Sequence, residues 1–136
     1  MIGILVLTTG ETGQHLIEDA FSIRNEPPES ILSIAAHHRP PEQLLTLIGE
    51  AIEAVDNGEG VLILADIYGA THTNTACNLL EQGRVELVTG VNLPMLIKVL
   101  NYRHLSLEQV AEKAAEGGRE CVVWPGGPTG LREMKG

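Results

Sequence analysis

The sequence is poor in aromatic side chains, in cysteine and in positive charge, and each shortage removes a class of protein. One Trp, two Tyr and one Phe in 136 residues leave the interior to Ile, Leu, Val and Ala. The two cysteines, Cys77 and Cys121, stand 44 positions apart with no CxxC spacing. They read as reduced core thiols of a cytoplasmic protein, not as a disulfide framework. Nine Lys and Arg against 18 Asp and Glu give a net charge of −9. Without a basic cluster there is no electrostatic footprint for a phosphate backbone or an anionic bilayer, so neither nucleic acid nor a membrane surface is an expected partner. The longest apolar runs, Ile2 to Leu7 and Val61 to Ala65, are too short to span a bilayer, so no direct membrane insertion is expected. Met1 leads into a strand-like run with no basic segment before it, so no signal peptide is expected.

What is present suits one compact core. The chain is 43% apolar and 20% charged, which is globular and not an acidic disordered tail. Short branched apolar runs at Ile2 to Leu7, Ser30 to Ala36 and Val61 to Ala65, with weaker ones at Val85 to Thr89 and Cys121 to Trp124, read as strands covered on both faces. Helix-period segments lie between them at Gly13 to Arg24, Pro41 to Val55, Thr73 to Gln82, Pro94 to Tyr102 and Leu107 to Ala115. Ser106 is a candidate N-cap and Gly117-Gly118 a candidate stop for the last of these. The alternation predicts an α/β fold with a doubly wound, mainly parallel, flavodoxin-like sheet over residues 1–124. Six of the twelve residues from Pro125 to Gly136 are Pro or Gly, so 125–136 reads as a tail.

In such sheets ligands sit beyond the carboxyl ends of the strands, where the strand order reverses between the first and third strands. That selects the loop Thr8-Thr9-Gly10-Glu11-Thr12-Gly13 and the loop Asp66-Ile67-Tyr68-Gly69-Ala70-Thr71-His72. Both join glycines to hydroxyls just before a helix, a composition suited to a small anion. Thr8, Gly10, Gly69 and Ala70 are the candidate phosphoryl-binding backbone. Neither loop is a P-loop or a GxGxxG turn, so no nucleotide or other cofactor is expected. Tyr68 is expected to pack beside its loop, Glu11 to be solvated, and His15 and His104 to lie on the surface. Asn92 and Pro94 are expected along the same crevice, with Met95, Leu96, Val99 and Leu100 as a core stripe. His37 and His38, ending the second strand, would share an edge with His72, but no ligand spacing supports a metal site.

Together these segments carry a resemblance. The first strand with its threonine-glycine loop, Val61-Leu-Ile-Leu-Ala-Asp-Ile-Tyr-Gly-Ala-Thr, Gly90-Val-Asn-Leu-Pro-Met-Leu and Gly117-Gly-Arg-Glu resemble the mannose/fructose-type EIIA domain of the bacterial phosphoenolpyruvate:sugar phosphotransferase system (PTS). The resemblance implies a cytoplasmic histidine phosphocarrier that takes a phosphoryl group from HPr and passes it to an EIIB domain. It also implies a homodimer exchanging a C-terminal strand. Asp66 matches the aspartate that holds the active ring, and Thr71 the hydroxyl facing the phosphoryl group. The chain departs from the family where the phosphorylated histidine belongs, since the expected Thr-His-Gly reads Thr8-Thr9-Gly10. A threonine hydroxyl is a weak nucleophile without a base and its phosphoester a poor donor, so Thr9 does not stand in for the ring. A second departure puts His72 where the family usually has proline, and His72 is the candidate relocated histidine. The competing functions are a phosphotransfer domain, a non-catalytic EIIA-like regulatory or binding module, and an unrelated small-anion-binding protein.

Overall fold

The computed structural model describes residues 1–128. Four strands, β1 (Gly3–Thr8), β2 (Ile31–Ala35), β3 (Val61–Ala65) and β4 (Val85–Thr89), form one sheet in the order β2-β1-β3-β4. All three neighbouring pairs are parallel. Five helices complete the chain: α1 (Thr12–Arg24), α2 (Pro41–Val55), α3 (Thr71–Cys77), α4 (Leu93–Tyr102) and α5 (Leu107–Glu120). The doubly wound sheet expected from the sequence is therefore present, with its reversal of direction between β1 and β3.

Strand periodicity divides the core. Ile2, just before β1, and Ile4 and Val6 within it, with Leu62 and Leu64 of β3, face α1, α4 and α5. Leu5 and Leu7, with Val61 and Ile63, face α2 and α3. β1 and β3 are buried along their whole length, because each is hydrogen-bonded on both sides and covered on both faces. The stripe Met95, Leu96, Val99 and Leu100 is buried as expected.

Local chemistry sets the element boundaries. Pro41 opens α2 at a position needing no N–H donor. After α2, Asp56 Oδ1 accepts from the N–H groups of Gly58 and Gly60, and Gly58 takes φ +94°, a conformation cheap only for glycine. Ser106 and Gln109 form a reciprocal capping box at the start of α5.

Several expectations are corrected. α5 does not stop at Gly117-Gly118 but runs to Glu120. The two glycines are buried against α4, where an added Cβ would come within 2.9 Å of Lys98 Cδ and 2.5 Å of Met95 Cε. They are there for close helix approach, not to end the helix. α3 is shorter than expected, ending at Cys77 in a run of turn hydrogen bonds from Asn78 to Leu80. Cys121 to Trp124 form no strand, and Val122, Val123 and Trp124 are 80%, 55% and 68% exposed. Cys77 is exposed rather than in the core, and Tyr68 stands out into solvent instead of packing beside its loop. Of the tail, residues 129–136 lie outside the described residues.

Candidate functional site: an Asp66-centred cluster at the switch point

The pairing of β1 with β3 aligns Leu7 with Ala65, so the residues that follow each strand meet at the carboxyl edge of the sheet. Asp66, the first residue beyond β3, accepts three hydrogen bonds there. Its Oδ2 takes the backbone N–H of Thr9 at 2.8 Å and the hydroxyl of Thr9 at 2.9 Å. Its Oδ1 lies 2.7 Å from Nε2 of His72. The three residues singled out from two loops are thus one cluster.

Burial alone would raise the Asp66 carboxyl pKa. The Thr9 backbone bond, the His72 and Thr9 side-chain bonds and the charge of His72 together outweigh it, and the group is held below its ordinary value of 3.8. Asp66 is therefore an ionised carboxylate near neutrality, able only to accept hydrogen bonds, and the hydrogen between it and His72 belongs to Nε2. His72 itself is 6% exposed.

The surrounding loops are braced by their own hydroxyls. Thr8 is buried; its hydroxyl donates to Gly10 O and accepts from the N–H of Gly13. That clasp folds the β1–α1 turn, and a Cβ at Gly13 would sit only 3.0 Å from the Thr8 hydroxyl. On the other side Thr73 donates to Ile67 O at 2.6 Å, and Gly69 turns the chain at φ +85°. Ala70 then precedes α3 without a side-chain cap, and Thr71, its first residue, is exposed beside His72. Asn92 caps α4 by accepting from the N–H of Met95, while Val91 ties the neighbouring loop to Ala65 O.

One residue of this edge was singled out only for a metal site. His37, beyond β2, donates both its backbone N–H and its ring Nδ1–H to Thr9 O. Its ring lies over the glycine loop, 3.5 Å from where a Cβ on Gly10 would be. The signal was available in the strand order, since the end of β2 must lie beside the end of β1. His38 stacks edge-on against His37. Among the described residues no group of three or more His, Cys, Asp or Glu side chains is arranged to hold a metal ion. His15 and His104 are exposed.

Known proteins resemble the chain in sequence and in fold. The family described as PTS system fructose IIA component, EIIA-man, matches residues 3–115. The mannose-specific EIIAB component of Escherichia coli K12 is 27% identical over 124 residues, which is 89% of this chain and 38% of that protein. The chain thus spans well under half the length of that relative. The fructose-specific EIIA component of Bacillus subtilis is 38% identical over 63 residues, 45% of this chain and 43% of the relative. Among solved structures, EIIA from Streptococcus agalactiae superposes with a TM-score of 0.80 at 18% identity, covering 91% of this chain and 97% of its own. The mannose/sorbose IIA subunit from Enterococcus faecalis gives 0.79 at 19%, covering 93% and 96%. With a family match over most of the chain, a doubly wound sheet and an aspartate at its switch point, the protein belongs to the mannose/fructose-type EIIA family of the sugar phosphotransferase system.

Proposed function

We propose that the chain works as a phosphotransfer domain that takes a phosphoryl group from phosphorylated HPr and hands it to an EIIB-type protein, with His72 supplying the imidazole that position 9 lacks. The observation that carries this reading is the 2.7 Å contact between His72 Nε2 and Asp66 Oδ1. A carboxylate that orients a ring and stabilises the cation formed on phosphorylation is what a histidine acceptor needs. Here that carboxylate has a ring, supplied by α3 instead of by the end of β1. Thr9 keeps the rest of the arrangement by donating its N–H and hydroxyl to the other oxygen. Thr71 and the backbone at Thr8, Gly10, Gly69 and Ala70 line the place for the phosphoryl group. The net charge of −9 suits docking against a basic carrier face, with steering strongest at low salt.

Residues 1–124 are read as the EIIA domain and 125–136 as its tail, acting in the cytoplasm. No helix among the described residues is long and apolar enough to cross a membrane. The exposed run Val122-Val123-Trp124 after α5 and the half-buried face of the outer strand β4 support a homodimer as part of this reading. In it, each copy would cover the other's run.

The deciding experiment is incubation with phosphorylated HPr followed by peptide mapping under alkaline conditions. An acid-labile, base-stable phosphate on the His72 peptide, lost in His72→Gln, is expected. A second reading, the non-catalytic binding module, is favoured by the 6% exposure of His72 and by the three hydrogen bonds that Asp66 already accepts. Absence of phosphate on every histidine would establish that one instead.

A further inference from the structure

We infer that phosphoryl transfer at this site uses Nδ1 of His72, so that the modified protein carries 1-phosphohistidine at residue 72 and not the Nε2 isomer. The inference rests on the phosphotransfer reading and adds to it the reacting atom. A ring nitrogen attacks phosphorus through its in-plane lone pair, and a nitrogen that carries hydrogen has none to give. Nε2 of His72 faces an oxygen of Asp66 at 2.7 Å. That oxygen belongs to a carboxylate kept ionised by its three hydrogen-bond donors, and a carboxylate only accepts. The hydrogen therefore resides on Nε2, and in the neutral ring the free lone pair is on Nδ1.

Access agrees with this. Among the described residues the His72 ring makes its one hydrogen bond through Nε2. No buried side-chain nitrogen or oxygen there lacks a partner. Nδ1, which has no partner among the described residues, is thus not fully sealed from solvent.

The step balances without another reactant. Nδ1 attacks phosphorus, forming one P–N bond while the P–N bond of the donor phosphohistidine breaks. The donor ring, carrying a proton on its other nitrogen, leaves as neutral imidazole. His72 becomes a phosphoimidazolium whose Nε2–H still faces Asp66, which offsets the new positive charge. No proton has to leave the cluster. His37 presents the opposite choice: its Nδ1–H is given to Thr9 O, so its open nitrogen is Nε2. The isomer formed therefore also tells the two histidines apart.

The test uses the full chain labelled with 15N-histidine, phosphorylated by phospho-HPr, with long-range 1H–15N correlations recorded at alkaline pH. A phosphate on Nδ1, lost in His72→Gln and kept in His104→Gln, is expected. Phosphate on Nε2 of His72 would overturn the atom and leave the phosphotransfer reading standing. Phosphate on His37 would overturn the assignment to His72 altogether, and no phosphate at all would overturn the reading with it. The unmodified protein gives a second measurement, independent of any partner. Near neutral pH the 15N shifts of His72 should show hydrogen on Nε2, and the Nδ1–H tautomer would overturn the inference.

Discussion

Asp66 and His72 are six positions apart on opposite sides of a loop, yet Oδ1 of one lies 2.7 Å from Nε2 of the other. Gly69, at φ +85°, and the Thr73 hydroxyl bound to Ile67 O bend the intervening chain back far enough to make the contact. The contact is a property of the loop fold as much as of the two side chains. It places an imidazole on the aspartate without any histidine at position 9.

Restoring the ring at position 9 tests whether the rest of the site is intact. Thr9 already reaches Asp66 Oδ2 through both its N–H and its hydroxyl, so a side chain there starts beside the carboxylate. Thr9→His should accept phosphate from phospho-HPr at residue 9, and should do so in the His72→Gln background as well. Mapping of the phosphorylated peptide reads the outcome. A double variant that folds but stays unmodified would mean that partner docking, and not only the acceptor, has been lost.

The Asp66 carboxyl gives the protein an acid limb of stability with a defined sign. Its native pKa lies below the ordinary 3.8, so the unfolded chain binds this proton more readily than the folded one. The stabilisation is present in full above the unfolded value and is lost as pH falls through the lowered native one. Asp66→Asn should therefore narrow the difference in urea midpoint between about pH 6 and about pH 3. Equal differences in the variant and the parent would show that other carboxyls carry the acid response.

Arg103 provides a test of stability far from the chemistry. It is 8% exposed and donates to Ile2 O, Glu29 O and Ser30 O at 2.8–3.0 Å, tying the end of α4 to the amino-terminal edge of β1 and β2. Burial lowers its pKa, though nearby Glu29 opposes the shift. Arg103→Met keeps the apolar stem but strands those carbonyls, and should cost about 3 kcal/mol in urea unfolding. Phosphate acceptance by the folded fraction should be unchanged, since this edge is opposite the Asp66 cluster.

The fold was legible because a parallel sheet buried on both faces writes itself as branched runs such as Val61 to Ala65, with helix-period segments between them. The Thr9–Asp66 contact was legible in kind, since strand order alone brings the first and third loops together. What failed to show was context. Gly117-Gly118 has the composition of a helix stop, but its meaning is set by Lys98 and Met95 on α4, which no local pattern reveals. Val122-Val123-Trp124 has the composition of a strand but finds no sheet edge within the described chain. The strand order puts His37 on the site's edge, but its partner is a backbone carbonyl, that of Thr9, which no side-chain pattern names.

Glycines separate cleanly by what surrounds them. A Cβ on Gly3 would lie 2.2 Å from the carbonyl oxygen of Val55, backbone that cannot swing aside, where β1 meets the end of α2. Gly49, inside α2, has nothing within 4 Å of that position. Gly3→Ala should therefore lose at least about 2 kcal/mol or fail to fold, whereas Gly49→Ala should gain about 0.5–1 kcal/mol from helix propensity. Thermal or urea unfolding of the pair checks both signs, and a tolerated Gly3→Ala would mean that α2 moves away from the sheet more easily than its packing implies.

The proposed dimer has its own test in the segment after α5. Val122, Val123 and Trp124 are exposed in one chain, and a contiguous apolar run is normally covered by a partner. Val123→Asp adds a charge there without touching the Asp66 cluster. Sedimentation velocity should show a dimer for the parent chain and a shift to monomer for the variant, with the circular dichroism of the fold retained. A parent chain that sediments as a monomer at concentrations of tens of micromolar would remove the dimer.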